Sequence, residues 1–132
     1  MTLYEIWSAI FTYLTQNWTY TSIRETNKDD APALPFIELH FNPGQMIPLE
    51  IQGAGERVGT FAINIFTAKG VGIQQGITYG GKLEVLFNHK TISGVTCESG
   101  TLLPHTKFRG IDEALQACHH QTIIPFSIIT EI

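Results

Sequence analysis

The sequence predicts an α+β fold: a mostly antiparallel or mixed sheet with an N-terminal helix and a second helix packed on one face. Three observations carry this. Residues 3–18 repeat apolar side chains at helical spacing, residues 57–66 alternate them at strand spacing, and residues 72–88 return to the helical period. With 132 residues, a single domain over 1–132 is expected. A chain of this size buries roughly two thirds of its unfolded surface, enough for a core without disulfides.

The first helix places Leu3, Ile6, Trp7, Ile10, Phe11 and Leu14 on one face. Thr2 and Glu5 have the spacing of a capping box, in which hydroxyl and carboxylate each take a free backbone donor of the first turn. Thr19 to Ala33 is polar, centred on Asn27-Lys28-Asp29-Asp30, and reads as an exposed loop. Pro32 and Pro35 precede a strand from Phe36 to Phe41, and Asn42-Pro43-Gly44 reads as a turn into a second short strand, Met46 to Ile51. After the Gly53-Ala54-Gly55 loop, Arg57 to Phe66 is the strongest strand: Phe61, Ile63 and Ile65 alternate with Thr60, Ala62 and Asn64.

The helix over 72–88 carries Ile73, Ile77, Leu83, Leu86 and Phe87 as its apolar positions, with Gly76 and Gly80 as a stripe beside them. Each interior glycine costs a helix about 1 kcal/mol relative to alanine, so the stripe predicts close approach of another backbone. Three β segments follow, Thr91 to Cys97, Pro104 to Arg109 and His119 to Glu131, with turns expected at Ser99-Gly100 and Gly110-Ile111-Asp112.

Composition excludes several function classes. Only 20 residues are charged, 15% of the chain against about 25% in ordinary soluble domains, and the net charge is −4. Scattered basic residues on an acidic chain give no footprint for nucleic-acid phosphates. No apolar run approaches the roughly 18 residues of a membrane span, and no secretory signal pattern is read at the N-terminus. Cys97 and Cys118 fit a reducing compartment better than a disulfide framework. So little charge suggests surface that does not face water, as in an obligate oligomer.

Chemistry-bearing patterns are weak. Gly70-Val71-Gly72-Ile73-Gln74-Gln75-Gly76 follows a strand and opens a helix, the context of a dinucleotide-binding turn. No acidic residue stands about 20 positions further on to take a ribose hydroxyl, and tight packing is the simpler reading. Cys97, His105, Cys118, His119 and His120 lack the short spacings of a zinc site, and the adjacent histidines would point to opposite faces of a strand. Glu38, Glu50 and Glu84 offer carboxylates that nothing brings together, and no Gly-x-Ser-x-Gly elbow occurs. Neither an enzyme, a metal nor a cofactor is expected.

The middle of the chain has a recognisable order. "LPFIELHFNPGQM" gives a strand and a proline–glycine turn. "RVGTFAINIFTAKGVG" supplies Arg57 and Gly59, an apolar strand and a Gly-x-Gly turn at Gly70 and Gly72. "IQQGITYGGKLEVLFNH" is a helix ending in Phe87, and a late "IIPFSI" strand spans Ile123 to Ile128. With the amphipathic N-terminal helix, this order resembles the tail terminator (tail-completion) proteins of long-tailed bacteriophages, with the lambda-type terminator fold. The Asn27 to Asp30 loop and the stretch Leu102 to Cys118 depart from it.

The resemblance implies a homo-oligomeric ring, usually a hexamer, on the head-proximal end of the tail tube in the virion, assembled in the host cytoplasm. The ring would stop tube polymerisation and offer a docking surface to the head connector, its partners being itself, the tube protein and the connector. Another head–tail connector or neck ring protein is the nearest alternative. A small ligand-binding or enzymatic α+β domain using the Gly70–Gly76 turn is the alternative of a different class. Leu102, Leu103, Lys107, Phe108 and Arg109, apolar and cationic residues on an expected hairpin, are the candidate subunit or tube interface.

Overall fold

The computed structural model describes residues 2–25, 33–49, 53–70, 72–99 and 102–131, with residues 130 and 131 described by backbone alone. Helix α1 (Leu3–Asn17) starts at the expected capping box: Thr2 Oγ1 accepts from the Glu5 amide at 3.1 Å, and Glu5 Oε1 accepts from the Thr2 amide at 3.3 Å. Ile6, Ile10 and Leu14 form its buried stripe, while Trp7 and Phe11 stack at 4.8 Å on the stripe's flank.

The strands among the described residues are β1 (Ser22–Arg24), β2 (Phe36–Pro48), β3 (Ala54–Ala68), β4 (Thr91–Ile92), β5 (Val95–Thr96), β6 (His105–Asp112) and β7 (Ala117–Glu131), with α2 (Gly72–Phe87) between β3 and β4. They make one curled mixed sheet, a half-barrel, in the order β1-β2-β3-β7-β5-β4. β7 is its spine. It pairs with β3 along its whole length, and on its other side with β6 through residues 117–123 and with β5 at Ser127. Only β1 against β2 is parallel; every other pair is antiparallel.

One sheet face is apolar and carries both helices. Ile37, Leu39, Phe61, Ile63, Ile65, Ile124, Phe126 and Ile128 pack there against Ile6, Ile10 and Leu14 of α1 and Leu83 and Phe87 of α2. Tyr13 ties the helices together by donating its hydroxyl to the Leu86 carbonyl at 2.8 Å. The α+β class with two helices against a mixed sheet thus stands as predicted.

Three local expectations change. Asn42-Pro43-Gly44 does not reverse the chain but makes a β-bulge within the single long strand β2, where the register steps from Asn42↔Thr60 to Gln45↔Val58. Gly44 has φ +66°, and a Cβ there would strike the Val58 carbonyl. Turn residues and bulge residues share this left-handed requirement, so the sequence pattern does not separate them. Gly110-Ile111-Asp112 likewise lies inside β6, beside a second bulge, and the chain reverses at residues 113–116. The expected loop at 19–33 contains strand β1, too short for periodicity to reveal and tied to β2 by an Arg24–Glu38 ion pair at 3.4 Å. The centre of that loop, the expected turn residue Gly100, and Glu50 and Ile51 lie outside the described residues.

Candidate interaction surface

Helix α2 sits on the sheet through glycines. A Cβ on Gly72 would meet Thr67 Oγ1 at 2.5 Å and Cys118 Sγ at 3.0 Å; one on Gly76 would enter the His120 ring; one on Gly80 would enter the Thr106 side chain. The stripe at every fourth residue therefore faces β3, β7 and β6. The neighbouring positions Ile73 and Ile77, which the apolar pattern suggested for the core, are turned out and are 55% and 62% exposed.

Beside them runs β6, an edge strand: it pairs with β7 on one side, and no strand among the described residues pairs with its other side. Alternation sends Thr106 and Phe108 toward α2 and His105 and Lys107 to the opposite face. Ile73, Ile77, Thr106 and Phe108 line a groove of about 370 Å³ between helix and edge, with the β6 strand at Lys107 forming part of its rim. Glu84 closes one end by accepting from Thr106 Oγ1 at 2.9 Å, and Thr106 also hydrogen-bonds Thr122 at 2.8 Å. His120 lies in the floor, 1% exposed, with its ring 5.0 Å from Phe108; neither of its nitrogens has a hydrogen-bond partner among the described residues. Burial pushes its pKa below the ordinary histidine value, so the ring is held neutral.

All five residues chosen from sequence are on the surface. Lys107 and Phe108 meet at the groove. Arg109 is exposed at the β6 bulge, and Leu102 and Leu103 are exposed just before the strand, where Leu102 and Ser99 exchange backbone hydrogen bonds of 2.9 and 3.2 Å. Leu102, Leu103 and Arg109 do not line the groove. The expected hairpin is β6 with β7, folded into the chain's own sheet, its outer edge unpaired among the described residues.

The weaker patterns resolve into packing. Gly72 and Gly76 of the Gly70–Gly76 turn are spent on helix–sheet contact. Cys97 and Cys118 are free and buried; burial pushes the Cys97 thiol up to about 12, with the Glu98 charge adding to the rise. His119 and His120 point to opposite faces. Among the described residues no three His, Cys, Asp or Glu side chains gather as a metal site would require. Glu84 and Glu38 belong to opposite sides of the sheet.

The sheet's second face holds a feature that sequence reasoning missed. Arg24, Glu38, Asn64, Gln121 and Lys107 stand in one register row across β1, β2, β3, β7 and β6. Asn64 Oδ1 accepts from Gln121 Nε2 at 3.0 Å and from His119 Nε2 at 2.8 Å, and Glu38 pairs with Arg24 and with His40. Glu38 and Asn64 are almost fully buried, so the row is an internal polar seam with a charged outer end at Lys107. Its only signal was a polar residue at the centre of each apolar strand, Glu38 in "FIELHF" and Asn64 in "FAINIF".

Comparison with models of known protein families and with curated proteins found no match for the chain. No helix among the described residues is long and apolar enough to cross a membrane.

Proposed function

We propose that the chain is a ring-forming subunit that caps the head-proximal end of a phage tail tube, stops tube polymerisation and presents the docking surface for the head connector. The observation that carries the assembly half of this reading is the β6 edge, unpaired on its outer side among the described residues, beside the exposed Ile73, Ile77 and Phe108. An unpaired strand with an adjoining apolar groove is a surface on which another chain gains both backbone hydrogen bonds and apolar burial. The low charge content fits the same reading, because interface centres are depleted of charge. The tail assignment, with the hexameric ring, the tube protein and the connector as partners, rests on the order of motifs from Leu34 to His89 and on Ile123 to Ile128, which resembles the terminator family. The activity is one of shape: one ring face complements the growing tube end, and the other refuses a further tube subunit.

The test is a tube-assembly reaction read by negative-stain microscopy. Added protein is expected to arrest tubes at one length and to sit at a single end. Tubes whose length distribution does not respond would overturn the terminator reading.

A further inference from the structure

Helix α2 is fastened to the sheet unequally along its length. Its later part buries Leu83 and Phe87 in the core, where Tyr13 also donates its hydroxyl to the Leu86 carbonyl. Through Thr78 its buried residues are Gly72 and Gly76 alone, while Ile73 and Ile77 face outward. Lifting this first part withdraws no large apolar side chain of its own, and its latch is Thr67 Oγ1, which donates to the Gly72 carbonyl at 2.7 Å. The adjacent Gly80 and Gly81 form a pliable joint between the two parts.

Under the loosely held part lies His120. It is buried, neither nitrogen has a hydrogen-bond partner among the described residues, and a Cβ on Gly76 would lie 2.0 Å from its Nδ1. Its register partner on β3 is Ile65, flanked on the same face by Ile63 and Thr67; on β6 it is Phe108, flanked by Thr106. The same face of β7 carries Cys118 and Thr122. Helix α2 supplies Glu84, whose Oε2 is held by Thr106 and which stands two turns beyond Gly76, roughly 12 Å along the axis. Lys107 and His119 point to the opposite face, and Arg109 is exposed at the bulge. A proton on the docked ring would thus be an unpaired buried charge, which burial opposes.

We propose that proton uptake by His120 lifts residues 72–78 of α2 off the sheet about the Gly80-Gly81 joint, while Leu83 and Phe87 stay in the core. The lifted ring is hydrated and recovers its ordinary proton affinity, so acid draws the helix toward the open form. With the docked ring neutral and the open ring titrating at its ordinary 6.5, the open population rises about tenfold from pH 7.5 to 5.5. Ile73 and Ile77 travel with the segment, so the same step remodels the groove. The inference does not depend on the ring reading, and its test uses the chain alone.

Cys118 is the reporter. It is buried, and its sulfur would lie 3.0 Å from a Cβ on Gly72, so the lifted helix uncovers it; Cys97, in the main core, reports global unfolding instead. Labelling uses a pyridyl disulfide, which reacts with thiols in mild acid, and each rate is compared with that of the urea-unfolded chain at the same pH. Cys118 is expected to be less protected than Cys97, and its protection to fall about tenfold between pH 7.5 and 5.5. Amide exchange, corrected for its intrinsic rate, should open residues 73–78 in step with Cys118 while 83–87 stay protected. His120→Phe, its fold checked by circular dichroism, should abolish the pH response of both; His120→Leu replaces it if the larger ring does not fold. Equal protection of the two thiols, a Cys118 protection that ignores pH, a response that survives loss of the imidazole, or joint exchange of 73–78 with 83–87 would each overturn the hinge.

Discussion

Gly80 and Gly81 are adjacent in α2 and have opposite surroundings. A methyl group at Gly80 would collide with Thr106, whose hydroxyl is held by Glu84 and Thr122 and whose side chain therefore cannot swing aside; a methyl at Gly81 meets nothing within 4 Å. Gly80→Ala is expected to lose about 1–3 kcal/mol to overpacking, partly offset by helix propensity. Gly81→Ala should gain up to about 1 kcal/mol from propensity alone. Urea melts of the two decide the matter, and equal effects would show that the stripe does not face the sheet. His120 gives a second residue-scale test. Its folded pKa is depressed by burial below the ordinary 6.5, and no ion pair among the described residues opposes this: Phe108 and Gly76 lie against the ring, with Glu84 and Lys107 at the groove margin. His119, its chain neighbour, is lowered for the same reason and by Arg109. A depressed histidine costs nothing while both states are neutral; as pH falls below about 6.5 the unfolded chain takes up protons that the folded chain refuses. Stability should therefore be fully present above that pH and decline on acidification. His120→Phe should flatten part of the decline in melts run from pH 7.5 to 5. An unchanged slope would assign the acid sensitivity to other groups. The Cys97 thiol, pushed up to about 12, leaves about one part in ten thousand as thiolate at pH 8. It should resist alkylation until the chain unfolds, which mass spectrometry after iodoacetamide treatment reads directly.

At the scale of elements, the long strands depend on the bulge in β2. Asn42 Oδ1 accepts from the Gly44 amide at 3.2 Å, Arg57 Nη1 donates to the Pro43 carbonyl at 3.4 Å, and Gly59 leaves room opposite, where a Cβ would lie 2.5 Å from the Asn42 carbonyl and 2.8 Å from the Phe126 ring. The Arg57 and Gly59 pair that stood out in the sequence thus braces the bulge. Gly44→Ala combines a left-handed φ with a collision against the Val58 carbonyl, so it should cost about 1–3 kcal/mol. Thermal melts check the loss; a neutral result would mean that the bulge relaxes freely. The same elements explain what was legible. Helix α1 was readable to its cap and β3 to its faces, because one period ran unbroken through each. The bulge and the β6 reversal were not, because proline and glycine chemistry is common to turns and bulges. Strand β1 was invisible at three residues. In α2 the period was right and the face only half right: glycine carries no hydropathy signal, so Ile73 and Ile77 read as core when the stripe beside them was the true contact. Phe108 and Lys107 were reachable from composition, but that Phe108 faces α2 and Lys107 the other side of the sheet follows only from strand register.

For the whole molecule, the scarcity of charge has a location. Glu38 and Arg24 are consumed in the polar seam, Lys69 reaches Glu113 at 3.7 Å at the β6–β7 turn, and Lys82 lies over Tyr20. What remains beside the β6 edge is cationic and sparse, Lys107 and Arg109, interleaved with Phe108 and preceded by Leu102 and Leu103. Charged residues on an edge strand commonly prevent unwanted pairing, and a bulge does so too; β6 has both. The edge is thus guarded against indiscriminate strand addition, while the apolar groove beside it, with Glu84 at one end, stays open. Leu103 lies outside the groove, next to the guarded edge, and separates a broad interface from a narrow one. Leu103→Asp should leave the melting curve nearly unchanged, because the side chain is already 39% exposed, and should lower the oligomer mass if the contact extends beyond the groove toward the start of β6. Light scattering at matched concentrations reads the mass and circular dichroism the fold. Loss of fold would place Leu103 in the core; an unchanged mass would take Leu103 out of the proposed interface.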